Sequence, residues 1–81
     1  MRFTHPLARH AKVWPIHMHN GTTLHALIIA TTLELNPESD KFKRSHVDRL
    51  ADAAREFIKF HPEVTAFSIV NRARDWDAPR S

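Results

Sequence analysis

The sequence predicts a two-layer α+β domain of order ββαβ, with a three-stranded sheet in the order 1-2-3 and one amphipathic helix across one face. Asn20-Gly21 lies between two extended apolar segments, which is the strongest short-range hairpin signal. The segment from Thr22 to Leu35 is apolar on both faces, as a central strand is. An apolar stripe at helical spacing follows, formed by Val47, Leu50, Ala51, Ala54, Phe57 and Ile58. At 81 residues, the chain is expected to be a single domain with a thin core.

The hairpin is predicted over residues 12–35, with a first strand from Lys12 to His19. Closing it at Asn20-Gly21 produces three cross-strand pairs, Trp14 with Leu27, Ile16 with His25, and His17 with Leu24. A two-residue loop would place Pro15 where its missing N–H should bond Ala26. A four-residue loop from His19 to Thr22, or a bulge, turns Pro15 outward. We therefore expect one of these, with the first strand at a sheet edge.

The helix is predicted over residues 36–61. Pro37 suits a first helical position, and Ser45 with Asp48 three residues later is a second possible start. Pro62 ends the helix. A third strand is predicted over residues 65–72, followed by a polar tail over residues 73–81. The third strand would complete a right-handed crossover if it is parallel to the second.

One face of this sheet is left without a helix, although it also carries apolar side chains. We expect the N-terminal segment or a second copy of the chain to cover it. A homodimer is therefore one possible assembly.

The net charge of +3 is unevenly placed along the chain. Residues 1–11 form a basic arm, a second basic cluster precedes the helix, and a third follows the last strand. Arginine and tryptophan are enriched at binding hot spots, and basic patches attract acidic partners. Nine residues are thus candidate partner contacts: Arg2, Arg9, Lys12, Lys41, Lys43, Arg44, Arg72, Arg74 and Trp76. Protonation of all seven histidines would raise the formal charge to +10.

Composition argues against several classes of protein. The single glycine, Gly21, cannot build a phosphate-cradling loop, and without cysteine there is no disulfide, thiolate metal site or cysteine nucleophile. The longest apolar stretch, Leu24 to Leu35, is too short and too polar to span a membrane. Residues 1–12 lack the apolar run of a signal peptide. A cytoplasmic location is favoured.

The polar clusters do not form a catalytic or metal-binding pattern. His17 and His19 share a strand face, but a metal site needs a third ligand, and His25 points to the opposite face in the predicted pairing. His5 or His10 could reach the pair only if the N-terminal arm folds back. Three carboxylates on the outer helix face are explained by ion pairs with Arg55 and Lys59; they are Asp48, Asp52 and Glu56. No serine lies in a nucleophile-elbow context, because none has a glycine beside it. We expect no enzymatic activity, cofactor or metal.

In length, composition and ββαβ plan, the chain resembles the small phage-encoded inhibitors known as anti-CRISPR proteins. The resemblance covers the whole chain and includes no shared motif, so it assigns no residue a role. It implies a non-catalytic protein that binds a host CRISPR effector complex and blocks target DNA. Many of those inhibitors are acidic mimics of nucleic acid, whereas this chain is basic. The alternative is a small basic nucleic-acid-binding regulator, such as an antitoxin or repressor accessory.

Overall fold

The computed structural model describes residues 2–71 and has the predicted ββαβ order. The elements are strand β1 (His10–His17), strand β2 (Thr23–Thr31), helix α1 (Arg44–Phe60) and strand β3 (Ala66–Asn71). The sheet order is β1-β2-β3, with β1 antiparallel and β3 parallel to β2. The α+β class and the strand order 1-2-3 are therefore confirmed. The predicted tail, residues 73–81, lies outside the described residues.

The hairpin register differs by one residue from the predicted one. Trp14 pairs with Ala26 and Ile16 with Leu24, so the pairs Trp14–Leu27, Ile16–His25 and His17–Leu24 were wrong. The loop has three residues rather than four. Within it, the N–H of Gly21 donates to the carbonyl of Met18 at 3.1 Å, and Gly21 has a φ of 85°. A turn followed by a residue of positive φ is the common three-residue hairpin loop. The loop is one residue shorter than the expected four, and this difference shifts the register by one residue.

The backbone nitrogen of Pro15 nevertheless points away from β2, as predicted. The N–H of Met18 donates to the carbonyl of Thr22 at 2.8 Å, and hydrogen-bonded pairs alternate with non-bonded pairs along an antiparallel ladder. Pro15 opposite His25 therefore occupies a non-bonded position, where a missing N–H costs no ladder bond. The first strand is an edge strand.

The second strand ends at Thr31, four residues before the predicted end at Leu35. The Thr31 hydroxyl donates to the carbonyl of Leu7 at 2.6 Å and accepts from the N–H of Leu33 at 3.2 Å. This side chain is fully buried. The chain turns away from the sheet here because a buried hydroxyl satisfies the backbone groups that further ladder pairing would have used.

Helix α1 begins at Arg44 and not at Pro37. The preceding residues form local turns, in which Asn36 Oδ1 accepts from the N–H of Glu38 at 3.0 Å and Ser39 Oγ accepts from the N–H of Lys41 at 3.2 Å. Side chains that bond the nearby backbone in this way compete with helix formation. The second predicted start, Ser45, is closer, but the N-cap is Lys43, which makes no side-chain cap bond.

The core lies on one face of the sheet. Every strand side chain that packs in it has an odd number: Ala11, Val13, Leu27, Ile29, Phe67 and Ile69. Helix α1 supplies Leu50 and Ala54, both fully buried. We call this the helix face, and the opposite face, made of even-numbered strand residues, the even face. Side chains alternate between the two faces along each strand.

The N-terminal segment, residues 2–9, packs with the core on the helix face. Phe3 is only 9% exposed, and its ring meets that of Phe57 edge-on with centroids 5.5 Å apart. Leu7 and Ala8 pack against the same core. The prediction of a basic arm was therefore wrong, because residues 2–9 pack on the helix face of the sheet beside α1. They do not cover the even face.

Candidate functional site

The even face carries a group of apolar side chains outside the core. Its larger members are Trp14, Ile16, Leu24, Ile28 and Val70. Ala26 and Ala30 lie between them on β2 and are themselves buried, at 4% and 0% exposed. Ile16 is 41% exposed, and Trp14 is half-buried. Helix α1 and residues 2–9 pack on the other face, so neither contributes to burying these side chains.

Lys12 is the only lysine, arginine, aspartate or glutamate in the three strands. No aspartate or glutamate occurs in β1, β2 or β3. Lys12 is exposed on the even face, and His10 lies two residues before it on the same face. The even face is thus an apolar surface with a basic end.

The predicted contact residues separate into different regions of the molecule. Arg2 and Arg9 line one cavity beside residues 2–9, whereas Lys12 lies on the even face. The turn before α1 carries two exposed lysines, Lys41 and Lys43. The first residue of α1, Arg44, is also exposed.

In that turn the guanidinium of Arg44 lies 5.6 Å from the centre of the Phe42 ring. This cation–π contact gives Arg44 a packing role. The remaining three candidates, Arg72, Arg74 and Trp76, lie outside the described residues.

The histidines near the hairpin loop are arranged differently from the prediction. With the register shifted, His17 and His25 share the helix-face side of the sheet, whereas opposite faces were expected. The His17 ring is hydrogen-bonded to the Thr23 hydroxyl through Nδ1 at 3.2 Å. Within residues 2–71, no group of three or more histidine or carboxylate side chains is placed to hold a metal ion.

The carboxylates and serines have structural explanations where contacts are seen. Asp52 and Arg55 form a 2.9 Å ion pair on the exposed side of α1. Such surface pairs contribute little to stability. Ser39 stabilises a turn, as described above.

Two exposed or anchoring aromatic residues were not among the predicted site residues. Phe60, the last residue of α1, is 70% exposed, and Phe3 anchors the N-terminal segment. The sequence indicates the exposure of Phe60, because this residue lies off the apolar stripe at the end of the helix. No periodic pattern marks Phe3.

The helix in residues 2–71 lacks the length and apolar character needed to cross a membrane. No protein-family model, curated protein or solved structure matches this chain.

Proposed function

We propose that this protein is a non-catalytic binding protein whose even face docks on another protein. The observation that carries the proposal is the group of apolar side chains on that face, among them Ile16 at 41% exposed, which the helix and residues 2–9 do not help to bury. Clustered apolar side chains at a surface are typical of interaction sites. Tryptophan, here Trp14, is the residue type most enriched among those that dominate binding energy.

Charge indicates the kind of partner. Because the strands carry Lys12 and His10 and no carboxylate, the complementary surface is an apolar protein patch bordered by aspartate or glutamate. The even face of a second copy carries no strand carboxylate, so it offers no acidic group to pair with Lys12. Charge therefore favours a different protein over a homodimer.

The resemblance in size and architecture supports a specific partner class. The proposed role is a phage-type inhibitor that binds a host CRISPR effector complex and prevents it from binding target DNA. Such a protein would act in the cytoplasm, that of the host cell if the chain is phage-encoded. A basic inhibitor fits an acidic protein patch on the effector better than it fits mimicry of DNA.

The test is a pull-down of purified CRISPR effector complexes with the tagged full-length chain at low salt, followed by a target-DNA binding assay. We expect co-elution and reduced DNA binding by the effector. Failure of every effector to co-elute would overturn the inhibitor role. A gel shift with DNA or RNA at about 50 mM salt, combined with that failure, would instead favour the nucleic-acid-binding regulator.

Light scattering on the isolated chain tests the charge argument. A monomer is expected. A stable dimer whose formation is abolished by substitution on the even face would show that a second copy occupies it.

A further inference from the structure

A cavity of about 210 Å³ lies between residues 2–5 and the start of β1. Of the described residues that line it, four have basic side chains and none is acidic; the four are Arg2, His5, Arg9 and His10. Concentration of one charge sign in a concave site strengthens the local potential and attracts an ion of opposite sign. The cavity is thus suited to an anion.

One of the two histidines that line this cavity, His5, is held in place. The Nδ1 atom of His5 accepts from the N–H of Leu7 at 3.1 Å, and its ring stacks on Phe3 with centroids 6.5 Å apart. In the neutral ring, an accepting Nδ1 leaves the hydrogen on Nε2, which is then a donor. Since Phe3 is anchored in the core, the donor is positioned before any ligand arrives.

The size of the cavity limits what can enter. Pockets for drug-sized ligands are about 300–1,000 Å³, so 210 Å³ suits a small group better than a whole nucleotide. Arginine is the side chain best matched to phosphate, because its planar guanidinium donates two parallel hydrogen bonds. Arg2 and Arg9 provide two guanidinium groups at one cavity.

A second, more apolar groove adjoins the cavity and shares Arg2, Phe3 and Thr4 with it. Its volume is about 320 Å³, and Phe60 on its wall is 70% exposed. An exposed ring beside a cationic site is the arrangement that proteins use to stack a base while they neutralise the adjoining phosphate. Glu56 also lines the groove, and its negative charge disfavours a second phosphate there.

We propose that this cavity binds one phosphate of a single-stranded nucleic acid, with a neighbouring base stacked on Phe60. The site shares only His10 with the even face and does not depend on the protein-binding role. It differs from general attraction to a basic surface, because it assigns the binding to particular side chains on one part of the molecule.

The test measures the fluorescence anisotropy of a labelled 12-nucleotide oligo(dT) with the full-length chain across a salt series. Replacing both cavity arginines (R2Q together with R9Q) is expected to weaken binding by about tenfold or more, since hydrogen bonds to charged groups are strong. The slope of log affinity against log salt should also fall by about 0.7 for each phosphate that the variant no longer neutralises. Arg2 and Arg9 are both exposed, so the double variant should retain the fold.

The matched control removes the same charge elsewhere, with K41Q together with K43Q in the turn before the helix. We expect this pair to weaken binding much less. Equal weakening by the two double variants would show diffuse electrostatic attraction and overturn the proposal. Absence of oligo(dT) binding at about 50 mM salt would overturn it as well.

The base-stacking half is tested by F60A, which should weaken oligo(dT) binding about fivefold or more. Binding of inorganic phosphate is monitored by the amide NMR signals of residues 4 and 5. F60A should leave the phosphate-induced shifts of these signals unchanged. Unaltered oligo(dT) binding by F60A would overturn the nucleic-acid assignment. If phosphate causes no shift of these signals in the unsubstituted chain, the cavity assignment is overturned.

Discussion

The hydroxyl of Thr31 donates to the carbonyl of Leu7 at 2.6 Å, across 24 positions of the chain. Thr31 is the last residue of β2 and is fully buried, and the same hydroxyl accepts from the N–H of Leu33. One side chain thus ties the N-terminal segment to the sheet and ends the central strand.

Replacement of Thr31 by valine removes that hydroxyl while keeping the shape of the side chain. We expect a loss of about 1–3 kcal/mol in the free energy of unfolding, because the carbonyl of Leu7 and the N–H of Leu33 lose their partner. Urea denaturation followed by circular dichroism measures it. The control is T32V at the exposed neighbouring position, which should change stability by less than about 0.5 kcal/mol. Equal effects would show that the Leu7 bond contributes nothing specific.

Phe3→Ala tests whether the N-terminal segment is part of the core. Truncation of a buried phenylalanine costs about 3–5 kcal/mol. A core of this size rarely supplies more than about 3–5 kcal/mol, so the variant should be largely unfolded at 25 °C. Near-ultraviolet circular dichroism and urea titration would show this. T4A, next along the chain and exposed, should unfold like the unsubstituted protein. A folded F3A protein of normal stability would mean that residues 2–9 are dispensable.

Gly21→Ala tests the hairpin loop. Gly21 has a φ of 85°, and an added Cβ would meet no atom within 4 Å, so backbone strain alone should oppose the change. We expect a loss of about 1–2 kcal/mol in unfolding free energy. G21N should cost less, since asparagine adopts positive φ more readily. If alanine and asparagine were equally harmless, the left-handed conformation would not be required.

The start of the helix offers a stabilising change. The N-cap Lys43 has extended backbone, with φ of −124°, and makes no side-chain cap bond. Lys43→Asp should raise the free energy of unfolding by about 1 kcal/mol, because aspartate accepts from free N–H groups and complements the helix dipole. S45A is the comparison, and thermal unfolding should place it within about 0.5 kcal/mol of the parent. A destabilising S45A would instead support Ser45 as the cap.

Ile16→Asp tests the even face in the pull-down. A carboxylate placed among apolar side chains and facing an acidic partner should weaken binding at least tenfold, which corresponds to about 1.4 kcal/mol. His17→Asp introduces the same charge one residue later, on the opposite face, and should bind normally. Both positions are exposed, so urea denaturation should show similar stabilities. Equal binding by I16D and the parent would exclude the even face as the docking surface.

The sequence predicted the strand order and the buried side of the helix correctly. The alternation of β1 with Pro15 within it indicated an edge strand, and the doubly apolar β2 indicated a central one, as found. The stripe through Leu50 and Ala54 identified the buried side of α1. The predicted helix start was wrong because the side chains of Asn36 and Ser39 bond nearby backbone N–H groups and so favour turns over helix. Pro37 had indicated a helix start at the same place.

The candidate sites were less predictable than the fold. Arg2 and Arg9 were named as part of a basic arm, whereas the docking of Phe3 brings them to one cavity. Phe60 acquired its proposed role only from its position beside that cavity.

By itself, then, the sequence determined the order of the elements, the strand order and the apolar sides of strand and helix. These depend on the residue period and on backbone preferences, which act over a few positions. The hairpin register follows from the local three-residue loop, in which Gly21 has a φ of 85°. The tertiary structure alone decided the end of β2 at Thr31 and the placement of residues 2–9. Those two features depend on contacts between residues far apart in the chain, Thr31 with Leu7 and Phe3 with Phe57. Their energies are set by burial and geometry, which no local pattern encodes.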